Sequence, residues 1–229
     1  MGILKNFFTN VFPDEVSTAT RRGFAQISED ELEAHLGVAR YGDFVLSDAV
    51  RPSYALEVVP SAGFRHDVYR DEENRATVPV LMAAVSKERL METFMSLIES
   101  LGEVVDVVLE TSHSRQNHGH TDLYREYIDM PILASTLWDF EDLLTNDGCT
   151  GIAVLNPSIP QEVQLDEHKL LIVYGQDLHP YENVLVDHRV PCREDMRFIT
   201  EAEHVHSTTD RYAQQFEELK VRLGIDGYR

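Results

Sequence analysis

The chain has 229 residues, enough for one large domain with a substantial core, and its 43% hydrophobic and 26% charged content is that of a folded globular protein rather than a disordered one. Asp and Glu number 40 against 20 Lys and Arg, a formal net charge of −20. The only adjacent basic pair is Arg21-Arg22, so nucleic-acid phosphates and anionic lipid surfaces are excluded as expected partners.

The start "MGILKNFFTNVF" is apolar but interrupted by Lys5 and Asn6, and it lacks the long uninterrupted core of a signal peptide. No run approaches the roughly 20 apolar residues that a membrane span needs. Two cysteines, Cys149 and Cys192, lie too far apart for a CxxC or zinc-ribbon pattern and read as thiols rather than a disulfide. A reducing cytoplasm is the expected location.

In chain order, "QISEDELEAHLG" is the first clear element. Ser28 and Glu31 have the spacing of a capping box, and Gly37 is placed to end the helix in a left-handed conformation. "SYALEVV", "FRHDVYR" and "ATVPVLMAAV" read as three strands, the last beginning at or after Pro79 because proline cannot donate to a ladder. "SKERLMETFMSLIESLG" is the strongest helix, capped by Ser86, with Leu90, Met91, Phe94, Met95, Leu97, Ile98 and Leu101 on one face.

"EVVDVVLET" follows as a strand interrupted by Asp106. A long helix is expected from about Pro131 to Asn146, with Trp138 in the core and Gly148 just beyond its end. "CTGIAVLN" and "EVQLDEHKLLIVYG" then read as two strands, "QDLHPYENVLVDHRV" as a short helix after His179-Pro180, and Thr209 to Leu223 as a final helix. The expected architecture is α+β: a mixed sheet with two or three long amphipathic helices packed on it and a loosely ferredoxin-like centre. Residues 1–50 are taken as a small helical appendage and 51–229 as a single domain.

The chemistry has few signposts. Gly-rich nucleotide loops, the GxSxG elbow, HExxH and EF-hand loops are all missing from the sequence. Cys149 opens an apolar strand after an Asn-Asp-Gly turn and reads as a structural thiol. "SHSRQNHGHTD" holds three of the ten histidines. In an extended segment His118, His120 and Asp122 project to one side, and a second pair of the same spacing, His204 and His206, precedes the last helix. Imidazole and carboxylate together suit zinc and similar divalent transition metals, so these five residues are the candidate metal ligands.

The order His118-x-His120-x-Asp122 resembles the first metal-binding motif of metallo-β-lactamase-type hydrolases. There a further His follows the Asp, where this chain has Leu123, and the strand-rich first half of that fold has no counterpart here. The resemblance implies a metal-dependent hydrolase. The leading expectation is nevertheless a binding protein with no catalytic machinery and no cofactor, acting on a protein partner or on itself as a homodimer through edge strand "FRHDVYR", with the metal-dependent hydrolase as the alternative. The alternative reading of the histidine stretch is a polar loop, with Thr121-Asp122 capping a short helix.

Overall fold

A computed structural model describes residues 27–71, 76–113 and 121–225. Its centre is a seven-stranded sheet of β4 (Gly63–Asp71), β5 (Ala76–Ala84), β6 (Val104–Thr111), β7 (Thr121–Asp129), β8 (Thr150–Leu155), β9 (Glu162–Leu165) and β10 (Leu170–Tyr174). The strand order is β4-β5-β10-β9-β8-β6-β7 and every neighbouring pair is antiparallel. Among the described residues the one parallel contact is an isolated bridge from Phe64 to Cys192 at the sheet edge. The protein is α+β, as its sequence pattern led one to expect. β5 and β6 are joined by α2 (Lys87–Ile98), yet β10, β9 and β8 stand between them, so the ferredoxin-like detail does not carry over.

The helices gather on one face. α2, α3 (Met130–Asp139), α4 (Glu141–Asn146), α5 (His179–Asp187) and α6 (Asp210–Arg222) share one hydrophobic cluster with alternate residues of the strands, including Leu81, Val107, Ile152, Val163 and Leu171. The alternation is the two-residue period of a strand. The opposite face carries Val80, Met82, Ile172 and Tyr174, covered in part by Met196 and Phe198. Each fully buried Leu, Ile or Phe contributes about 1.5–3 kcal/mol of transfer free energy, so the helix-covered face dominates the stability.

Local details show where side chains override simple patterns. α1 (Glu29–Leu36) has the expected capping box: Ser28 Oγ accepts from the Glu31 amide at 3.3 Å while Glu31 accepts from the Ser28 amide at 2.9 Å. Gly37, however, is right-handed at φ −72°. Ser86 precedes α2 but makes no side-chain cap; its hydroxyl accepts from the Val45 amide and donates to Glu88. "SYALEVV" forms no strand. The short strand β3 (Val50–Pro52) lies just before it and pairs with β11 (His204–His206).

β5 runs straight through Pro79. In a strand the N–H and C=O of one residue point to the same side, and the Pro79 carbonyl accepts from Gly175 just past the end of β10. The missing donor therefore faces a place where no strand needs it. Asp106 interrupts its strand at a bulge, where its carboxylate accepts from the amide of Tyr127. The expected long helix is broken at Phe140 (φ −114°) into α3 and α4, and Trp138 is 45% exposed rather than buried. Residues 121–129, read alternatively as a capped helix, form strand β7.

Of the first 50 residues, the described part holds α1 and the hairpin of β1 (Arg40–Tyr41) and β2 (Phe44–Val45). Phe44, Leu46 and Val50 share a small core with Ile199. No helix among the described residues is long and apolar enough to cross a membrane.

Glu110 and Glu162 lie on the sheet face away from the helices. Glu110 faces Gly151 across the ladder, where its carboxylate fills the space a side chain would take, and it accepts from Gln164 Nε2. Burial first, then the charge of Asp122, raises the Glu110 pKa to about 8; burial and the charge of Glu110 raise that of Glu162 well above the carboxylate range. The folded state therefore favours the protonated acid. Its contribution to stability is complete below the unfolded pKa near 4.5 and is lost as pH rises through about 8. Glu110→Gln should accordingly stabilise the protein by about 1–3 kcal/mol at pH 9 and change little at pH 4. Urea midpoints at the two pH values measure this, and equal shifts at both would refute it.

Candidate metal centre

β11 presents His204 and His206 to the same side of a strand, as the i, i+2 spacing requires. Its partner is β3, with His204 opposite Pro52 and His206 opposite Val50. The third imidazole is His168, from the turn between β9 and β10. That turn is made by side chains rather than glycine. The Asp166 carboxylate accepts from the Leu170 amide at 2.7 Å, and Lys169 adopts φ +64°. Lys169 Nζ then reaches the carbonyl of Thr150 at 2.7 Å and fastens the turn to β8.

The three rings meet with centroids 4.6 to 5.1 Å apart, and each offers a nitrogen within 4.8 Å of the others. His168 Nε2 and His204 Nε2 are 3.1 Å apart. Each ring is fixed through its other nitrogen. His168 Nδ1 donates to Asp166 at 2.9 Å, His204 Nδ1 to the Ala202 carbonyl at 2.8 Å, and His206 Nδ1 to the Gly148 carbonyl at 2.7 Å. A carbonyl or carboxylate partner settles the tautomer: Nδ1 carries the proton and Nε2 is left with a lone pair. Neutral rings so held present three lone pairs to one another.

A cation between the rings would engage all three lone pairs. Burial, then the charge on His168, lowers the pKa values of His204 and His206 to about 4. Burial also works against a charge on His168, but the Asp166 carboxylate outweighs it and raises its pKa. Asp166 is correspondingly held low by His168, the Leu170 amide and Lys169 against the effect of its own burial. The Asp166 carboxylate thus makes His168 the ring of the three on which a proton at the centre is most favoured. A divalent metal would fill the centre better, because nitrogens bound to one tetrahedral zinc stand about 3.3 Å apart and all three lone pairs are then used. A carboxylate or carbonyl behind each ligating imidazole is the usual arrangement around such metals. Three protein ligands leave a fourth position free. His168 also lines a cavity of about 30 Å³ bounded by Phe44, Leu46, Ser47, Arg197 and Phe198.

The candidates from sequence distribute unevenly. His204 and His206 meet, and their third partner is His168, which the sequence pattern hid inside an apparent continuous strand. His118 and His120 lie outside the described residues. Asp122 stands on β7 opposite Glu110, close to Tyr124, and does not join the imidazoles. The signal that could have found His168 is the run "DEHK", four polar residues between two apolar ones, which marks a tight hairpin. Other histidines serve packing: His188 bonds Thr93 and Ser96 between α5 and α2.

No protein-family model, no curated protein and no solved structure matches this chain. The chemistry of the site thus rests on its own geometry.

Gly148 sets that geometry. A Cβ there would come within 2.3 Å of the Ala49 carbonyl and 2.9 Å of the Ser207 carbonyl, both backbone atoms. Gly148→Ala should therefore push β11 away, lowering stability by about 2–4 kcal/mol and weakening metal binding at least about tenfold. Gly37→Ala, at an ordinary φ with its nearest contact at 3.4 Å, should stay within about 0.5 kcal/mol. Thermal melts and zinc titrations of both variants test the contrast.

Proposed function

We propose that this protein binds a divalent transition metal, zinc foremost, through His168, His204 and His206, and uses the free coordination position for hydrolysis. The observation that carries the reading is the convergence of three Nε2 lone pairs, each backed by a separate Nδ1 hydrogen bond. A zinc held by three neutral ligands supplies a water acidic enough to act as a nucleophile near neutral pH. The protein's part is to hold the three rings rigid and to keep the Asp166 carboxylate behind His168. This is the chemistry expected of a metal-dependent hydrolase, built on His204-x-His206 with His168 as third ligand.

The competing reading, a binding protein that adds a partner strand at its sheet edge, has weaker support. β4 is an edge strand, but three of its outward amides are already occupied. Phe64 donates to the Pro191 carbonyl, His66 to Glu194 and Val68 to Asp67. An edge blocked in this way resists strand addition.

Elemental analysis of protein prepared without a histidine tag and equilibrated with zinc should give a tightly held metal. His168→Ala, His204→Ala and His206→Ala should each weaken it by more than about a hundredfold. Asp166→Asn should weaken it by about 10–100-fold by freeing the His168 ring. His179→Ala, on α5, is the control and should change nothing. Hydrolysis of activated esters should rise and fall with metal content across these variants. Zinc held no more tightly by the parent than by the triple alanine variant would sink the proposal.

A further inference from the structure

A second cluster sits one turn of chain away, at the opposite end of the Gly148 peptide from the first. We infer that His113, Asp147 and Cys149 form a second metal site, suited to a thiophilic divalent ion such as zinc. The sheet itself brings them together. β6 and β8 end in register at Thr111 and Thr150, and the Ser112 amide extends the ladder by donating to the Cys149 carbonyl at 3.0 Å. His113 lies just past one strand, and Asp147 and Cys149 just before the other. One nitrogen of His113, one carboxylate oxygen of Asp147 and the Cys149 sulfur lie within 4.8 Å of one another.

The ligand atoms are oriented by their neighbours: Ser112 and Thr208 hydrogen-bond the Cys149 sulfur, and Thr150 and Thr208 the Asp147 carboxylate. His113 Nδ1 is 2.8 Å from Thr111 Oγ1, and its ring packs on Phe216 with centroids 5.4 Å apart, so the ring is fixed and Nε2 is the nitrogen left over. That Nε2 is buried without a hydrogen bond, 3.0 Å from Asp147 Oδ2 but out of line for one. The Asp147 side chain is fully buried; Thr150 donates to Oδ2 at 2.6 Å, while Oδ1 has no partner. Polar atoms buried and unpaired in this way are costly and scarce in folded proteins. A cation between them satisfies both. The soft sulfur of Cys149 completes a mixed nitrogen, oxygen and sulfur set that matches zinc. Ligand atoms around one tetrahedral zinc stand about 3.3–3.6 Å apart, and His113 Nε2 and Asp147 Oδ2 at 3.0 Å are already near that spacing.

A cysteine nucleophile with a histidine base does not fit the same residues. That chemistry sets the carboxylate on the imidazole nitrogen remote from the thiol, with the carboxylate aligning the ring. Here a threonine hydroxyl holds Nδ1, and the carboxylate crowds the nitrogen that is free.

Cobalt(II) distinguishes this site from the first, because only this one contains sulfur. In a Cys192→Ser background, which removes the other thiol, the protein should bind two equivalents and show a thiolate-to-cobalt charge-transfer band in the near ultraviolet. His168→Ala should lose one equivalent and keep the band. Cys149→Ser should lose one equivalent and the band together, and His113→Gln should do the same, so a folding defect in either variant leaves the other to decide. Zinc chloride should also slow alkylation of Cys149 at least about tenfold, reversed by chelator. One equivalent with no band, or a band that survives Cys149→Ser, overturns the second site; an unchanged stoichiometry in His168→Ala with the band present overturns the first site instead.

Discussion

Three stretches of chain meet at Gly148, and the geometry of the imidazole cluster follows from that meeting. Its amide donates to the Ser207 carbonyl, the Ser207 amide donates to the Ala49 carbonyl, and its own carbonyl accepts from His206. The contact requires a residue without a side chain, since a Cβ would collide with backbone on both neighbours. Through it the link from α4 to β8, the strand β11 and the approach to β3 become one rigid unit. The imidazoles of β11 are aimed by backbone hydrogen bonds, and they inherit the rigidity of the sheet rather than the softness of a loop.

Much of the scaffold is legible in the sequence because it is written in repeated local patterns. The apolar stripe of α2, the capping box of α1 and the apolar run of β6 each involve several residues that agree. The departures come where one tertiary contact outvotes a pattern. Phe140 leaves helical geometry and splits the expected long helix, and Pro79 stays in a strand because its missing donor faces a vacant ladder position. The pair His204 and His206 is legible for the same reason as the scaffold: an i, i+2 spacing has one meaning in a strand. His168 is not, since its turn lacks the glycine, proline or asparagine that usually marks a hairpin. Asp166 supplies the turn chemistry through its carboxylate and Lys169 accepts a left-handed φ, so the sequence "EVQLDEHKLLIVYG" passes for one long strand. The cluster of His113, Asp147 and Cys149 is hidden differently, being assembled across a strand pairing that no local window contains.

Charge explains why the interior is arranged as it is. A chain with a formal charge of −20 buries carboxylates at Asp147, Glu162 and Asp166, and each needs a local remedy. Asp166 has His168, Lys169 and a backbone amide, and remains ionised. Glu162 has none of these and is pushed toward its neutral form. Lys169 is itself fully enclosed, and burial brings its pKa down to about 8 even though Asp166 and Asp147 oppose the loss of its proton. The cationic groups are therefore spent on the turn that carries His168, beside the imidazole cluster, and not on the carboxylate pair farther along the sheet.

The two clusters differ in how their needs are met. At the imidazole cluster Asp166 favours a proton on His168, so a metal there would compete with that proton. At the second cluster His113 Nε2 and Asp147 Oδ2 face each other at 3.0 Å, while Asp147 Oδ1 is buried without a hydrogen bond, so a cation there would meet a need that the fold leaves open. A ligand that binds only the folded state adds its binding energy to stability. Because its ligands flank Gly148, a metal in the sulfur-containing cluster would act on the backbone that carries the Gly148 carbonyl, and so on the hydrogen bond that orients His206.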